Sequence, residues 1–97
     1  MSKVTVVVRI KAKAGEENRV EEELLALLPP SRAESGCINF DLHRAIDDDS
    51  VFLVHENWVT EEDLGEHFKM SYIEEWLIKA EGLLAEPMEL TRWQQIG

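Results

Sequence analysis

Side chains that combine a ring with a polar or titratable tip are concentrated between residues 53 and 76. Such side chains suit a pocket for a flat organic ligand, because rings supply stacking area and a few polar groups fix the ligand's orientation. His67 follows Leu64 by three residues on a predicted helix, so it is expected to point toward the sheet. There its imidazole could act as a general base or donate a hydrogen bond to a ligand oxygen. The set consists of His55, Trp58, His67, Tyr72 and Trp76, with Glu56 and Asn57 between them.

The same residues also allow a purely structural interpretation. Trp58 and Trp76 could belong to the hydrophobic core, and His67 could pack there without a chemical role. Glu56 alternates with Val54 and Trp58 on one strand face, so it is expected to be either a buried carboxylate with a partner or a charge at a dimer interface. At the level of sequence both interpretations stay open.

The usual motifs of metal and nucleotide sites do not occur in the sequence, which lacks CxxC, HExxH, GxGxxG, GxxxxGK[ST] and GxSxG patterns. The three histidines, His43, His55 and His67, fall on three different predicted elements. A three-histidine zinc site would require all of them to converge. We therefore expect no metal site.

The composition describes one small acidic domain. The chain has 97 residues, and its 20 acidic against 10 basic side chains give a formal net charge of −10. We expect a single domain over residues 1–97, because a chain of this length has room for only one core. Nucleic acid and anionic membranes are not expected as partners, since both are bound through clustered Lys and Arg.

Localisation is predicted from what the sequence lacks. The longest apolar runs, such as residues 51–54, are far shorter than the ~20 residues needed to cross a bilayer. The sequence begins Met1-Ser2-Lys3 and enters a β-branched strand without the regions of a signal peptide. The single cysteine, Cys37, cannot form an internal disulfide, and these features together predict a cytoplasmic protein.

Two different periodicities predict the order of the secondary-structure elements. Alternation of apolar and polar residues is typical of half-buried strands, and Val and Ile are frequent in the first of them. A polar turn at residues 47–50 joins the second and third strands into a hairpin. The predicted strands cover residues 3–13, 37–44, 51–58 and 88–95.

The helices are predicted from a change to a period of three to four residues. The first helix is expected to run from Glu16 to the pair Pro29-Pro30, because proline disfavours the helical state of the preceding residue and donates no hydrogen bond. A capping box at Thr60 and Asp63 predicts a second helical stretch, and another capping signature at Ser71 predicts a break within it. The residues of the first of these segments that are expected to face inward are Leu64, His67 and Phe68.

The order β-α-β-β-α-β predicts a ferredoxin-like α+β fold, a four-stranded antiparallel sheet with two helices on one face. Since only two helical stretches are available, the other face of the sheet would expose Val, Leu and Trp side chains unless another molecule covers it.

Three short patterns give the sequence a family resemblance. They are Gly36-Cys37-x-x-Phe40 at the start of the second strand, Phe52-x-x-x-Glu56-x-Trp58 in the third, and His67 nine residues after that tryptophan. With them the sequence resembles the antibiotic biosynthesis monooxygenase domain, particularly its quinol monooxygenase branch, over nearly the whole chain.

The resemblance implies a homodimer whose two sheets join into an α+β barrel, with a pocket between the sheet and helices of each subunit. It further implies oxidation of a quinol or related aromatic polyphenol by O2 without a metal, flavin or other cofactor. His67 would then be the base or hydrogen-bond donor, and Asn57 or His55 a second polar contact. The pocket wall would consist of Trp58, Phe68, Tyr72 and Trp76.

Other functions remain as alternatives. A related branch isomerises phosphorylated autoinducer-2, a small carbonyl compound, although Lys69 is the only cation beside His67 that could bind phosphate. A non-catalytic small-molecule-binding dimer is a third possibility, because a fold can persist without its activity. Haem degradation is not expected, since the Asn, Trp and His of those relatives align with Val8, His67 and Leu77.

Overall fold

The predicted strands pair into one four-stranded antiparallel sheet in the computed structural model, which describes residues 3–97. Met1 and Ser2, the first residues of the segment that we compared with a signal peptide, lie outside the described range. The sheet order is β2-β3-β1-β4, which confirms the ferredoxin-like α+β topology. The elements are β1 (Val4–Lys11), α1 (Glu17–Ala33), β2 (Cys37–Arg44), β3 (Val51–Trp58), α2 (Glu61–Phe68), α3 (Ser71–Leu83) and β4 (Glu89–Trp93).

The inner face of the sheet packs against the three helices and forms the core. In β1 every second residue is buried, and each lies opposite an inward residue of β3, as Val6 lies opposite Glu56 and Val8 opposite Val54. This alternation follows from the two-residue period of a strand, so the apolar pattern of β1 predicts which of its faces is buried. The helices contribute Val20, Leu24, Leu27, Leu64, Ile73, Trp76, Ala80 and Leu83 to the same core. Within residues 3–97, no helix is both long and apolar enough to cross a membrane.

The predicted end of the first helix at Pro29-Pro30 is wrong, because α1 continues through both prolines to Ala33. The fixed φ of proline suits a helix, and the carbonyls that lose their donors belong to Leu25 and Ala26, which are exposed and accessible to water. Ser31 in the added turn is completely buried, so packing favours the longer helix.

The predicted break in the second helical stretch is confirmed, since α2 ends at Phe68 and α3 begins at Ser71. Thr60 caps α2 as expected, because its side chain accepts a hydrogen bond from the Asp63 amide. Ser71 does not cap α3; Met70 takes that position with extended backbone, and Ser71 is the first helical residue. Phe68 does not point fully inward either, since 39% of it is exposed.

A close approach at Gly36 places the start of α2 against the start of β2. Its carbonyl accepts a hydrogen bond from the Val59 amide at 2.9 Å, and the Asp63 side chain lies against its α carbon. A β carbon at position 36 would overlap Cβ and Cγ of Asp63. Only glycine therefore fits here without moving the first turn of α2.

One carboxyl group lies inside the core. Glu56 is buried on the inner face of β3, and the Trp58 indole N–H donates to its Oε1 at 2.9 Å. Burial raises the pKa of Glu56 from 4.5 to about 7, and the nearby Glu34 adds to this increase. Of the two roles considered for Glu56, the structure therefore shows the first, a buried carboxyl group with a partner.

Replacing Gly36 by Ala should destabilise the fold by roughly 1–3 kcal/mol, the usual effect of adding an atom to a packed region. The matched control is Gly65→Ala on α2, where an added β carbon would meet no atom within 4 Å. That substitution should stabilise the helix by about 0.5–1 kcal/mol. Urea unfolding of both variants checks the pair, and equal midpoints would contradict the close approach at Gly36.

Replacing Glu56 by Gln should remove a pH dependence of stability. Since the pKa of Glu56 is raised from 4.5 to about 7, the native state retains a proton that the unfolded chain releases between these values. The stability from this group is complete below pH 4.5 and is lost as the pH rises through 7, by about 3 kcal/mol in total. The melting temperature of Glu56→Gln should therefore rise relative to that of the wild type as the pH increases from about 5 to about 8. A matched replacement of the exposed Glu75 by Gln should change nothing, and parallel curves for Glu56→Gln would contradict the raised pKa.

Candidate active site

His67 lies in the last turn of α2 and is only 2% exposed, as expected for an inward-facing residue. Its imidazole is surrounded by aromatic rings from both the sheet and the helices. The Trp58 ring centre is 4.6 Å away, tilted by 39°, and that of Phe40 is 5.5 Å away. Phe68 and Tyr72 follow at 5.8 and 6.3 Å. The site is therefore an imidazole in an aromatic enclosure.

A buried carboxylate binds this imidazole from the side of α1. Oε2 of Glu34 lies 2.7 Å from Nδ1 of His67, and the Tyr72 hydroxyl donates a hydrogen bond to the same oxygen. The Tyr72 hydroxyl also lies 3.4 Å from Oγ of the buried Ser31. Glu34, His67 and Tyr72 come from the ends or starts of the three helices, which meet at this point.

Glu34 and Ser31 are not among the residues predicted from the sequence, because both follow Pro29-Pro30, where the helix was expected to end. Once α1 extends to Ala33, Glu34 becomes its C-terminal cap and Ser31 lies in its buried last turn. The one available signal was a carboxylate directly before the Ser35-Gly36 turn, and nothing in that pattern identifies His67 as its partner.

Tyr72 acts as a hydrogen-bond donor in this arrangement. Burial and the hydrogen bond to Glu34 raise the pKa of Tyr72 to about 12. Its hydroxyl therefore stays protonated at neutral pH and cannot serve as a base there. Among the ring side chains around the site, the imidazole of His67 is therefore the one suited to act as a base.

The site has a negative electrostatic character. Glu34 lies at the imidazole, and Glu56 lies beside the Trp58 indole that stacks on it. Lys69 follows in sequence, but it is 75% exposed and its Nζ lies 3.3 Å from Glu66. This environment favours a neutral ligand over an anionic one.

The structure separates the predicted site residues into three groups. Trp58, Tyr72 and Phe68 surround His67, with Trp58 fully buried and Phe68 forming the part of the enclosure that solvent reaches. Trp76 is buried on α3 as part of the core. Asn57 and His55 lie on the opposite face of the sheet, so they are not part of the His67 enclosure.

On that open face, Asn57 belongs to a row of hydrogen bonds that crosses three strands. The Thr5 hydroxyl donates to Asn57 Oδ1 at 2.5 Å, and Asn57 Nδ2 donates to Asn39 Oδ1 at 2.8 Å. Asn39 Nδ2 in turn donates to the His55 carbonyl and to Asp41. Among residues 3–97, no cluster of His, Cys, Asp and Glu side chains has an arrangement suited to a metal ion.

Two surface cavities lie away from His67. One of about 580 Å³ lies between the start of α2 and the end of β4, with Thr60 and Trp93 in its wall. Another of about 460 Å³ lies between α3 and the segment before β4, with Leu77 and Met88 in its wall. Neither cavity has His67 in its wall.

The chain is similar to several known proteins. The uncharacterized protein sll1783 of Synechocystis sp. is 34% identical over 91 residues, which are 90% of this chain and 59% of that protein. The solved structure of PA3566 from Pseudomonas aeruginosa has a TM-score of 0.95 at 29% identity, covering 100% of this chain and 97% of that one. The structure of Rv0793 from Mycobacterium tuberculosis has a TM-score of 0.94 at 24% identity, covering 99% and 97%. At that identity Rv0793 shows the fold alone.

A match to a family model shows which protein family the chain belongs to. The family model is described as antibiotic biosynthesis monooxygenase and matches residues 3–77, from β1 to the middle of α3. The matched region contains Glu34, Glu56, Trp58, His67 and Tyr72. Since the match extends over well more than half of the sequence, this chain belongs to the antibiotic biosynthesis monooxygenase family.

Proposed function

We propose that this protein is a cofactor-independent monooxygenase that oxidises a quinol or a related aromatic polyphenol with O2. The observation that carries the proposal is the nearly buried His67, whose Nδ1 contacts the Glu34 carboxylate inside an enclosure of aromatic rings. Aromatic rings provide stacking area for a flat substrate, and the imidazole provides a base at neutral pH. Membership of the monooxygenase family supports the reaction class.

The chemistry requires little from the protein beyond proton transfer. His67 removes a phenolic proton, and the resulting anion reduces O2 with its own electrons. One oxygen atom becomes bonded to the ring and the other leaves as water, so that a hydroquinone and O2 give a hydroxyquinone and H2O. An apolar enclosure helps because it excludes water and strengthens the attraction between the anion and the protonated imidazole of His67.

The charges of the site favour a neutral substrate. Glu34 and the ionised form of Glu56 would repel a phosphate group, and the exposed Lys69 already contacts Glu66. The alternative of an isomerase that acts on a phosphorylated carbonyl compound therefore has less support than the quinol monooxygenase. A non-catalytic binding protein is the outcome if no reaction with O2 occurs.

We also propose that the open face of the sheet joins a second copy of the chain in a two-fold dimer. Val7, Leu53 and Trp93 lie on this face, and burying them would stabilise an interface. The polar groups of Asn57 and Asn39 are already hydrogen bonded within the chain, so a partner can cover them without leaving them unsatisfied.

Replacing His67 by Gln should lower turnover on the order of 10²–10⁴-fold, the usual contribution of a positioned acid–base group. Gln retains a donor for Glu34, so the variant should remain folded. Oxygen-electrode traces with a panel of hydroquinones, naphthohydroquinones and anthrones provide the measurement.

The matched control is Lys69→Ala, two residues away on an exposed side chain, which should leave oxygen uptake unchanged. Wild-type uptake that stays at the uncatalysed background across the panel would contradict the monooxygenase. Full turnover in folded His67→Gln protein would remove the histidine from the mechanism.

Replacing Val7 by Glu at the centre of the open face should weaken the dimer about 100-fold or more, because two like charges would be buried across the two-fold axis. Ile78→Glu is the control, since Ile78 is 70% exposed on α3 and lies on the helical side of the fold. Sedimentation equilibrium at micromolar concentration measures both. A monomeric wild type, or a Val7→Glu protein as dimeric as Ile78→Glu, would contradict an interface on the open face.

A further inference from the structure

Glu34 is held at the end of α1 by its own backbone. Its amide donates to the Ser31 carbonyl at 3.2 Å, and its carbonyl accepts from the Cys37 amide at 3.0 Å. Its side chain is only 10% exposed and extends toward α2 and α3, where both of its donors lie. A carboxylate fixed in this way can set the orientation of a ring that binds to it.

Two ring side chains lie within hydrogen-bond distance of the same oxygen of Glu34. Nδ1 of His67 lies 2.7 Å from Oε2, and the Tyr72 hydroxyl reaches the same atom. A carboxylate has no hydrogen to donate, so the hydrogen between Glu34 and His67 belongs to Nδ1. Because the pKa of Tyr72 is raised to about 12, its hydroxyl hydrogen remains available for the second bond.

The other ring nitrogen of His67 has a different environment. Nε2 has no hydrogen-bond partner among residues 3–97, whereas every fully buried polar side-chain atom of those residues has one. Nε2 is therefore the polar atom of this nearly buried ring that solvent or a small molecule can still reach. If the hydrogen is fixed on Nδ1, the neutral imidazole presents a lone pair at Nε2.

We propose that Glu34 is a positioning residue that holds the hydrogen of His67 on Nδ1 and thereby makes Nε2 the proton acceptor of the site. Tyr72 contributes by binding the same carboxylate oxygen from α3, which restrains Glu34 in the position that His67 needs. The identity of the proton that Nε2 accepts rests on the proposed function, but the position of the hydrogen on the imidazole does not.

The first experiment measures that position without any substrate. In protein labelled with ¹⁵N-histidine, long-range ¹H–¹⁵N correlations distinguish the protonated from the unprotonated ring nitrogen of a neutral imidazole. The signals that disappear in His67→Gln protein are those of His67. We expect the hydrogen on Nδ1 in the wild type.

Glu34→Gln tests whether the Glu34 carboxylate keeps the imidazole hydrogen of His67 on Nδ1. Gln has nearly the same shape, but its amide can donate as well as accept, so the ring can hold its hydrogen on either nitrogen. The ratio of the Nδ1–H to the Nε2–H form should fall on the order of tenfold. The matched control is Glu66→Gln, an exposed acid next to His67 on α2, which should leave the ratio unchanged.

Kinetics give a second readout for the same variants. In Glu34→Gln protein kcat should fall about 10- to 100-fold, as is usual when the outer partner of a functional histidine is lost. KM should change little, because Glu34 acts through His67. Glu34→Asp retains the charge and should recover part of the loss in kcat.

The outcomes separate this proposal from the proposed function. A wild-type His67 with its hydrogen on Nε2 would overturn the role of Glu34, and this result needs no variant to fold. An unchanged ratio in folded Glu34→Gln protein would overturn it as well. If His67 carries its hydrogen on Nδ1 and the ratio shifts in Glu34→Gln, but hydroquinones are not oxidised, the positioning role stands and the monooxygenase proposal fails.

Discussion

Burial of the Glu34 carboxylate is the constraint on which the arrangement of the three helices depends. A carboxylate away from water is costly unless hydrogen bonds replace those of the solvent. Here the Tyr72 hydroxyl from α3 donates to Glu34, which caps α1, and Nδ1 of His67 from α2 lies 2.7 Å from the same oxygen. The three helices must therefore meet close to one point, and the imidazole is fixed at that point with one of its two nitrogens engaged.

The sheet supplies the remaining rings around His67, because every second residue of a strand faces the helices. Phe40 and Trp58 both lie on the inner face, and their rings pack against His67 from below the helices. Glu56 lies directly opposite Phe40 in the register and accepts a hydrogen bond from the Trp58 indole, and burial raises its pKa to about 7. The site thus combines hydrophobic rings with two acidic groups, a combination suited to neutral aromatic molecules and unfavourable for phosphates.

The two faces of the sheet differ in what covers them and in their polarity. The buried part of the inner face is apolar apart from Glu56 and the Trp58 indole that binds it, and it forms the core with the helices. The open face mixes apolar side chains such as Val7 with a row of amides, and these amides bond to one another within the chain. Because these hydrogen bonds lie within the chain, another molecule can cover the surface without breaking them. Removing water from a polar group is costly mainly when its hydrogen bond is lost.

The sequence by itself determined the strands, their order and the buried faces of β1 and β3, because a two-residue period and the turn residues act locally. It also determined that His67 is buried, from its spacing to Leu64, and that Asn57 lies on the face opposite to Trp58. Only the tertiary structure decided where α1 ends. Proline weakens a helix locally, whereas the burial of Ser31 and the two donors that reach Glu34 act across the fold. The partner of His67 is 33 residues away in sequence, and no local pattern encodes a contact of that kind, since it exists only once packing has brought three helix ends together.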